Sequence, residues 1–187
     1  SVTVQAPTTK PDLIVENLTI SGSLVTGTSL TFSGKVKNQG GSIAAASSAR
    51  FCIDNSNCLN TPAGRIGNDH SISALDAGAT SGIITSASWT ATAGNHTIFW
   101  CADVGKVVNE SDEGNNCSSQ DFFINSRPTA RFLNADQPDY CTFGPAAFLS
   151  WIFTDSDGDP QSAYQIQIDN NSNFSSPEID SGKVLSN

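Results

Sequence analysis

Five cysteines, three alternating aspartates and two histidines are the residues of this 187-residue sequence most able to do chemistry. Cys52, Cys58, Cys101, Cys117 and Cys141 include no Cys-x-x-Cys pair, and only His70 and His96 could join them. A tetrahedral zinc site needs clustered thiolates and imidazoles, so this spacing argues against one. Disulfides formed in an oxidising compartment are the better reading. Cys52 and Cys58 flank a short Asn-rich loop, and Cys101 and Cys117 lie about equally far from a hairpin centred near Val108–Asn109. Those placements favour two local bridges. Cys52 with Cys101 competes, because each follows an aromatic on strands that read as neighbours, and spacing alone does not decide between connectivities. Cys141 is left over, either bonded outside this set or a buried thiol.

Asp155, Asp157 and Asp159 place three carboxylates at alternate positions of a glycine-containing turn. Oxygen ligands at that spacing can converge on calcium, as in the first half of an EF-hand. Ile166 stands where the bidentate glutamate would be, so the motif is half complete. The plainer reading is that Asp and Gly satisfy turn geometry. Glu110, Asp112 and Glu113 pose the same question more weakly. Calcium is the one cofactor these residues suggest. Asn17, Asn95, Asn109, Asn116, Asn170 and Asn173 each open an Asn-x-Ser/Thr sequon, which matters only in a glycosylating host. Trp89, Trp100 and Trp151 could stack on sugars if exposed, although each sits in an alternating strand and a core role is favoured. Neither histidine belongs to a Ser/His/Asp or metalloprotease motif, and no glycine-rich phosphate loop joins a strand to a helix. The sequence therefore reads as non-enzymatic.

Composition agrees. The net charge is −9 and no basic stripe is interleaved with aromatics, which disfavours nucleic acid as a partner. No apolar run approaches the roughly 20 residues of a membrane-spanning helix. Hydrophobic residues make up 37%, enough to fill a core rather than leave a disordered tail.

The elements that must hold these residues are strands. Leu30, Phe32 and Val36 alternate with Thr31, Ser33, Lys35 and Lys37, the pattern of a sheet with one buried face. Leu13–Ile20, Ala49–Ile53, Arg65–Ile72, Gly82–Trp89 and His96–Ala102 follow the same grammar, separated by Gly, Pro, Asn or Asp. About seven strands at this spacing predict a sandwich. Ser1–Ala6 reads as a strand ending in a proline-bearing linker. Residues 127–130 form a second boundary, after which Ala130–Leu133, Ala147–Phe153 and Ala163–Asp169 restart the pattern. The prediction is all-β, with tandem immunoglobulin-like β-sandwiches: a strand and linker at 1–9, a first domain at 10–126, and a second domain at 127–187. The second is incomplete, since such a fold needs about 100 residues.

Pro11-Asp-Leu-Ile-Val15, Val36-Lys-Asn-Gln-Gly40, Leu75-Asp-Ala-Gly78 and Val108-Asn-Glu-Ser-Asp-Glu-Gly-Asn-Asn116 occur in order between Lys10 and Ile124. On these, the segment resembles the CARDB family, the cell adhesion related domain found in bacteria. The resemblance implies a seven-stranded immunoglobulin-like sandwich in exported prokaryotic proteins, and no catalytic residues. The paired cysteines depart from the usual family pattern. Phe148-Leu-Ser-Trp-Ile-Phe153 and Ala163-Tyr-Gln-Ile-Gln-Ile-Asp169 are similar to fibronectin type III-like domains of microbial surface proteins. The expectation is a non-catalytic extracellular or cell-surface structural and adhesion protein, a spacer or subunit of a stalk or filament. Its partners are other copies of itself, neighbouring domains of the same protein, or surface glycans and proteins. A half sandwich exposes an edge and an apolar face, which a strand from another copy, Ser1–Ala6, could complete. The alternative is a carbohydrate- or protein-binding accessory module of an exported enzyme.

Overall fold

The alternation in Leu30–Val36 sets the pattern for the first half of the molecule. A computed structural model describes residues 9–136 and 148–186; the candidate donor strand Ser1–Ala6 and the unpaired Cys141 lie outside the described residues. Strand β1 (Leu13–Ser21) pairs antiparallel with β2 (Ser29–Asn38), which also takes β5 (Ile84–Thr85) and β6 (Trp89–Thr90). The opposing sheet runs β4 (His70–Ile72), β3 (Ser47–Ile53), β7 (Gly94–Cys101), β8 (Cys117–Ile124). No helix occurs among the described residues. Leu30, Phe32 and Val36 from the first sheet meet Phe51, Ile98 and Trp100 from the second, all fully buried in one core.

Two local features let the layers close. Gly34 interrupts the apolar face of β2, and a Cβ there would sit 2.8 Å from Trp100 Nε1. Its absence lets the indole lie against β2, stack on Phe51 at 4.0 Å between centroids, and donate to the Lys35 carbonyl at 3.2 Å. Asn17, at φ 58°, takes the left-handed conformation that asparagine tolerates. It makes the bulge at which the β1–β2 register shifts, between Glu16 and Thr19.

Three predicted segments come out differently. Arg65–Ile72 is a strand only over His70–Ile72, because Gly67 turns at φ 76° after Ile66 has entered the core. Gly82–Trp89 splits into the short β5 and β6. Between and beside them serine hydroxyls replace ladder carbonyls: Val36 N–H donates to Ser81 Oγ at 2.9 Å and Phe32 N–H to Ser86 Oγ at 3.0 Å. Val108–Asn109 is not a tight hairpin tip, since residues 102–116 fold back and bury Val108 and Glu110.

The chain divides after Asn125. In the second unit β9 (Thr129–Asp136) pairs with β10 (Phe148–Thr154), β11 (Ala163–Tyr164) with β14 (Val184–Leu185), and β12 (Gln167–Ile168) with β13 (Ile179–Asp180), all antiparallel. These are three two-stranded sheets, and the predicted strand Ala163–Asp169 is broken into β11 and β12. Phe132, Ile152, Ile168, Phe174, Ile179 and Leu185 are exposed.

Candidate functional site

Chemistry-bearing residues gather in three places on the first unit and one on the second. The outer face of β3 and β7 carries both disulfides. Cys52 is joined to Cys58 and Cys101 to Cys117, with Cα–Cα distances of 5.8 and 4.1 Å. Cys101 and Cys117 are direct cross-strand partners on β7 and β8. Cys52, Cys58 and Cys101 form a second small apolar cluster with Leu59, Phe99 and Val104. The loop after β3 thus roofs a sheet face that alternation alone would leave wet. Arg50, also on that face, reaches Asp69 through Nε and Nη2, both at 2.7 Å, and donates from Nη1 to the Cys58 carbonyl at 3.1 Å. The bidentate hydrogen bond to Arg50 holds the Asp69 carboxyl below the usual carboxylate range, with Arg65 adding to it.

A second cluster joins residues far apart in sequence. His96 Nδ1 lies 2.7 Å from Asp54 Oδ2, while Nε2 lies 2.9 Å from the Thr92 carbonyl and 3.2 Å from Thr92 Oγ1. Thr, His and Asp in this order resemble a nucleophile, base and orienting acid. The geometry denies that role. Nε2 lies nearer the Thr92 carbonyl, which only accepts, than the hydroxyl, so the closest atom to the ring nitrogen is not a nucleophile. Asp54 Oδ1 meanwhile accepts from Thr97 N–H at 2.8 Å. The cluster is a clasp between the loop after β3 and the start of β7, edge-on to Trp89 at 5.1 Å. Nothing in the local sequence around His96 signals it.

The third cluster lies in the loop joining β7 and β8. Glu110 is buried; its Oε2 accepts from Leu13 N–H at 2.6 Å and its Oε1 from Asn116 Nδ2 at 2.9 Å. Asp103, also buried, accepts from the amides of Val107 and Val108. Burial pushes the Glu110 carboxyl up, Asp103 and Glu113 push the same way, and the bonds from Leu13 and Asn116 oppose them. Of the acids weighed for calcium, Glu110 points inward, Asp112 accepts from Gly114 N–H, and Glu113 accepts from Glu110 N–H. Asn116 is a corrected expectation: its side chain is buried against Glu110 beside a disulfide-bonded Cys117, so no glycan fits there. Asn17, Asn95, Asn109, Asn170 and Asn173 are exposed.

In the second unit the alternating aspartates do not converge. Asp155 Oδ1 accepts from Asp157 N–H at 2.8 Å, closing the turn on itself, and the Asp157 carboxylate takes the amide and hydroxyl of Ser126. Among the described residues no group of three or more His, Cys, Asp or Glu side chains is placed to hold a metal ion. A groove of about 750 Å³ opens in the same unit, with Phe132, Trp151, Phe153, Tyr164, Ile168 and Phe174 among its walls. Trp151 and Tyr164 are half-buried, with ring centroids 5.0 Å apart. Trp100 is wholly in the core and Trp89 half-buried against it.

These features define an all-β protein whose first unit is an immunoglobulin-like sandwich braced by two disulfides. The CARDB family profile matches residues 10–120, more than half of the chain, and the chain belongs to that family of cell-adhesion-related domains. Among solved structures it is similar to a CARDB domain from Pyrococcus furiosus, crystallised in complex with di-metal ions. That likeness has 25% identity and a TM-score of 0.46, covering 61% of this chain and 93% of that one. It is also similar to the solution structure of a CARDB domain from the same organism, with 23% identity and a TM-score of 0.48 over 61% and 94% of the two chains. A solution structure of a domain from Methanosarcina acetivorans follows, at 20% identity and TM-score 0.45 over 61% and 91%. No curated protein matches the chain. No helix among the described residues is long and apolar enough to cross a membrane.

Proposed function

We propose that this chain is a non-catalytic structural and adhesion segment of an extracellular or cell-surface assembly, acting as a spacer or subunit of a stalk or filament. The observation that carries this reading is the sealed CARDB sandwich whose second sheet is stapled by Cys52–Cys58 and Cys101–Cys117. Disulfides persist where the environment is oxidising, and they restrain a small domain against unfolding. Its sites bind the chain to itself: Arg50, His96, Asp103 and Glu110 all spend their polar atoms on neighbouring loops.

The finer form of the proposal is strand complementation between copies, with Ser1–Ala6 as donor to the second unit. Its support is the apolar groove together with the pairing of the described strands as three two-stranded sheets, a form that is marginal in water by itself. Donation from one copy to the next does not close on itself and yields fibres. Negative-stain microscopy tests it: fibres that dissolve into particles on deleting residues 1–6 support it, and particles from the intact chain reject it. The half-buried Trp151–Tyr164 pair favours a second reading, a carbohydrate- or protein-binding accessory module of an exported enzyme. Retention of the chain on a polysaccharide matrix, lost in Trp151→Ala, would select that reading. Calcium at Asp155, Asp157 and Asp159 requires the three carboxylates to leave their present geometry and converge; heat and a gain in stability at millimolar calcium would establish it.

A further inference from the structure

We propose that Glu110 is a proton-responsive latch that fastens the start of β1 to the loop between β7 and β8, so that the hold on the chain where it joins the sandwich tightens in acid and loosens as protons leave. The inference goes beyond the spacer reading and does not need it. Residues 10–13 are held on one side by the turn after β2, where Asp12 N–H donates to Asn38 Oδ1 at 3.1 Å and the Lys10 and Asp12 carbonyls accept from Gly41 and Gln39 N–H at 3.0 and 2.8 Å, and on the other side by this loop. Ser111 N–H donates to the Pro11 carbonyl at 2.9 Å, Asn115 Nδ2 to Asp12 Oδ1 at 2.9 Å, and Leu13 N–H to the Glu110 carboxylate at 2.6 Å. The last is buried, where water competes least for it while the latch is shut.

Among the described residues the carboxylate has hydrogen bonds and no cation. Lys10 Nζ goes instead to Asn109 Oδ1 at 2.8 Å and the Glu110 backbone carbonyl at 3.3 Å. The other ionisable groups that act on it, Asp103 and Glu113, are acids. A buried negative charge among acids is relieved by a proton, provided the new O–H finds an acceptor. One is in place. Asn116 is buried, its Nδ2 serves Glu110 Oε1, and its Oδ1 has no hydrogen-bond partner. Half a turn of the amide presents Oδ1 to the same glutamate oxygen, so the protonated acid donates to Asn116 while Oε2 still accepts from Leu13. Both protonation states close the latch, and the neutral one does so without a buried charge.

The sign follows. With the closed state holding its proton more tightly than the open state, the latch is strongest below the ordinary carboxylate titration. Its stability is lost as pH rises through the closed-state titration, by at most about tenfold in the opening equilibrium per pH unit for a single proton. Amide exchange of Leu13 in the full chain, corrected for intrinsic rates, reads this locally. Wild type is expected to lose protection on going from mildly acid to neutral pH. Glu110→Gln, which mimics the protonated acid, should show a flat profile at the acid level of protection. Asn116→Asp should lose protection at neutral pH and regain it in acid. The Glu110 carboxyl carbon shift of wild type supplies a measurement without a variant. Equal profiles for wild type and Glu110→Gln, or a Glu110 that titrates at or below an ordinary glutamate, would overturn the latch.

Discussion

The two units of this chain are built from the same grammar of alternating residues, yet among the described residues they treat their apolar faces differently. In the first, two four-stranded sheets cover each other, and Leu30, Phe32, Phe51 and Trp100 are fully buried. In the second, β9–β10, β11–β14 and β12–β13 are three separate pairs, and Phe132, Phe174 and Leu185 stand 59%, 52% and 70% exposed. Alternation gives each strand an apolar side; it does not supply the opposing layer. Burial of that side stabilises by about 25 cal/mol per Å², so a pair of strands without a lid forgoes most of the gain. Two-stranded ribbons are marginal in water for that reason. Among the described residues the first unit buries its large apolar side chains between two sheets, whereas the second leaves several of them in water.

The sharpest way to break this contrast is to remove one tryptophan from each unit. Trp100→Ala should destabilise the first unit by about 3–5 kcal/mol, since it empties a fully packed site. Trp151→Ala, at a half-buried position on the groove, should cost about 1 kcal/mol or less. Denaturant unfolding followed by segment-resolved hydrogen exchange separates the two, and equal losses would show that the second unit has a sealed core after all. The disulfides come next. Their sequence separations are 16 for Cys101–Cys117 and 6 for Cys52–Cys58. Replacing the first pair by serine should cost about 3 kcal/mol and the second somewhat less, by loop-closure entropy. Neither should alter exchange in the second unit, and a change there would join what the comparison keeps apart.

Much of the first unit was legible because its cause is periodic. The faces of β2, the strand beginning at Leu13 and the strand ending at Cys101 all follow from period-two burial. What was illegible is whatever depends on a partner distant in sequence. Arg50 and Cys52 look like solvent-side residues of β3, and become buried only because Asp69 and the loop through Cys58 return over them. Arg65–Ile72 reads as one strand because composition does not reveal that Gly67 turns the chain. Glu110 sits in a run of acids typical of a wet turn, and its burial depends on Leu13, 97 residues away. The clasp at His96 spans 42 residues to Asp54.

A smaller effect concerns His70, which packs edge-on to Phe51 at 5.8 Å and leaves Nε2 buried without a partner. Burial lowers its basicity from the ordinary value of 6.5, with Asp69 opposing. A depressed histidine contributes stability that is fully present above the unfolded titration and is lost as pH falls from there through the lower folded-state titration, because the folded state resists the proton. His70 therefore lowers the midpoint of the first unit's unfolding between neutral and mildly acid pH, against the opposite contribution of Glu110. His70→Gln should flatten that slope, and an unchanged slope would assign it elsewhere.

The smallest expected change separates the clasp from a catalytic reading. His96→Phe keeps a ring against Trp89 and Phe122 and removes both hydrogen-bonding nitrogens. Asp54 retains the Thr97 amide as a partner and is half exposed to water, so the loss should be near that of one ordinary hydrogen bond, about 1 kcal/mol. The loss should fall on the loop after β3 and on the start of β7, seen as faster amide exchange at Asp54 and Thr97, and the second unit should not respond. A Thr92→Ala variant discriminates further: the Thr92 carbonyl remains as the acceptor of Nε2–H, so a clasp built on that carbonyl loses almost nothing. If Thr92→Ala cost as much as His96→Phe, the hydroxyl would be the partner of Nε2, and the ring-nitrogen chemical shifts of His96 would then show which of the two carries the shared hydrogen, a base-activated alcohol requiring it on the oxygen.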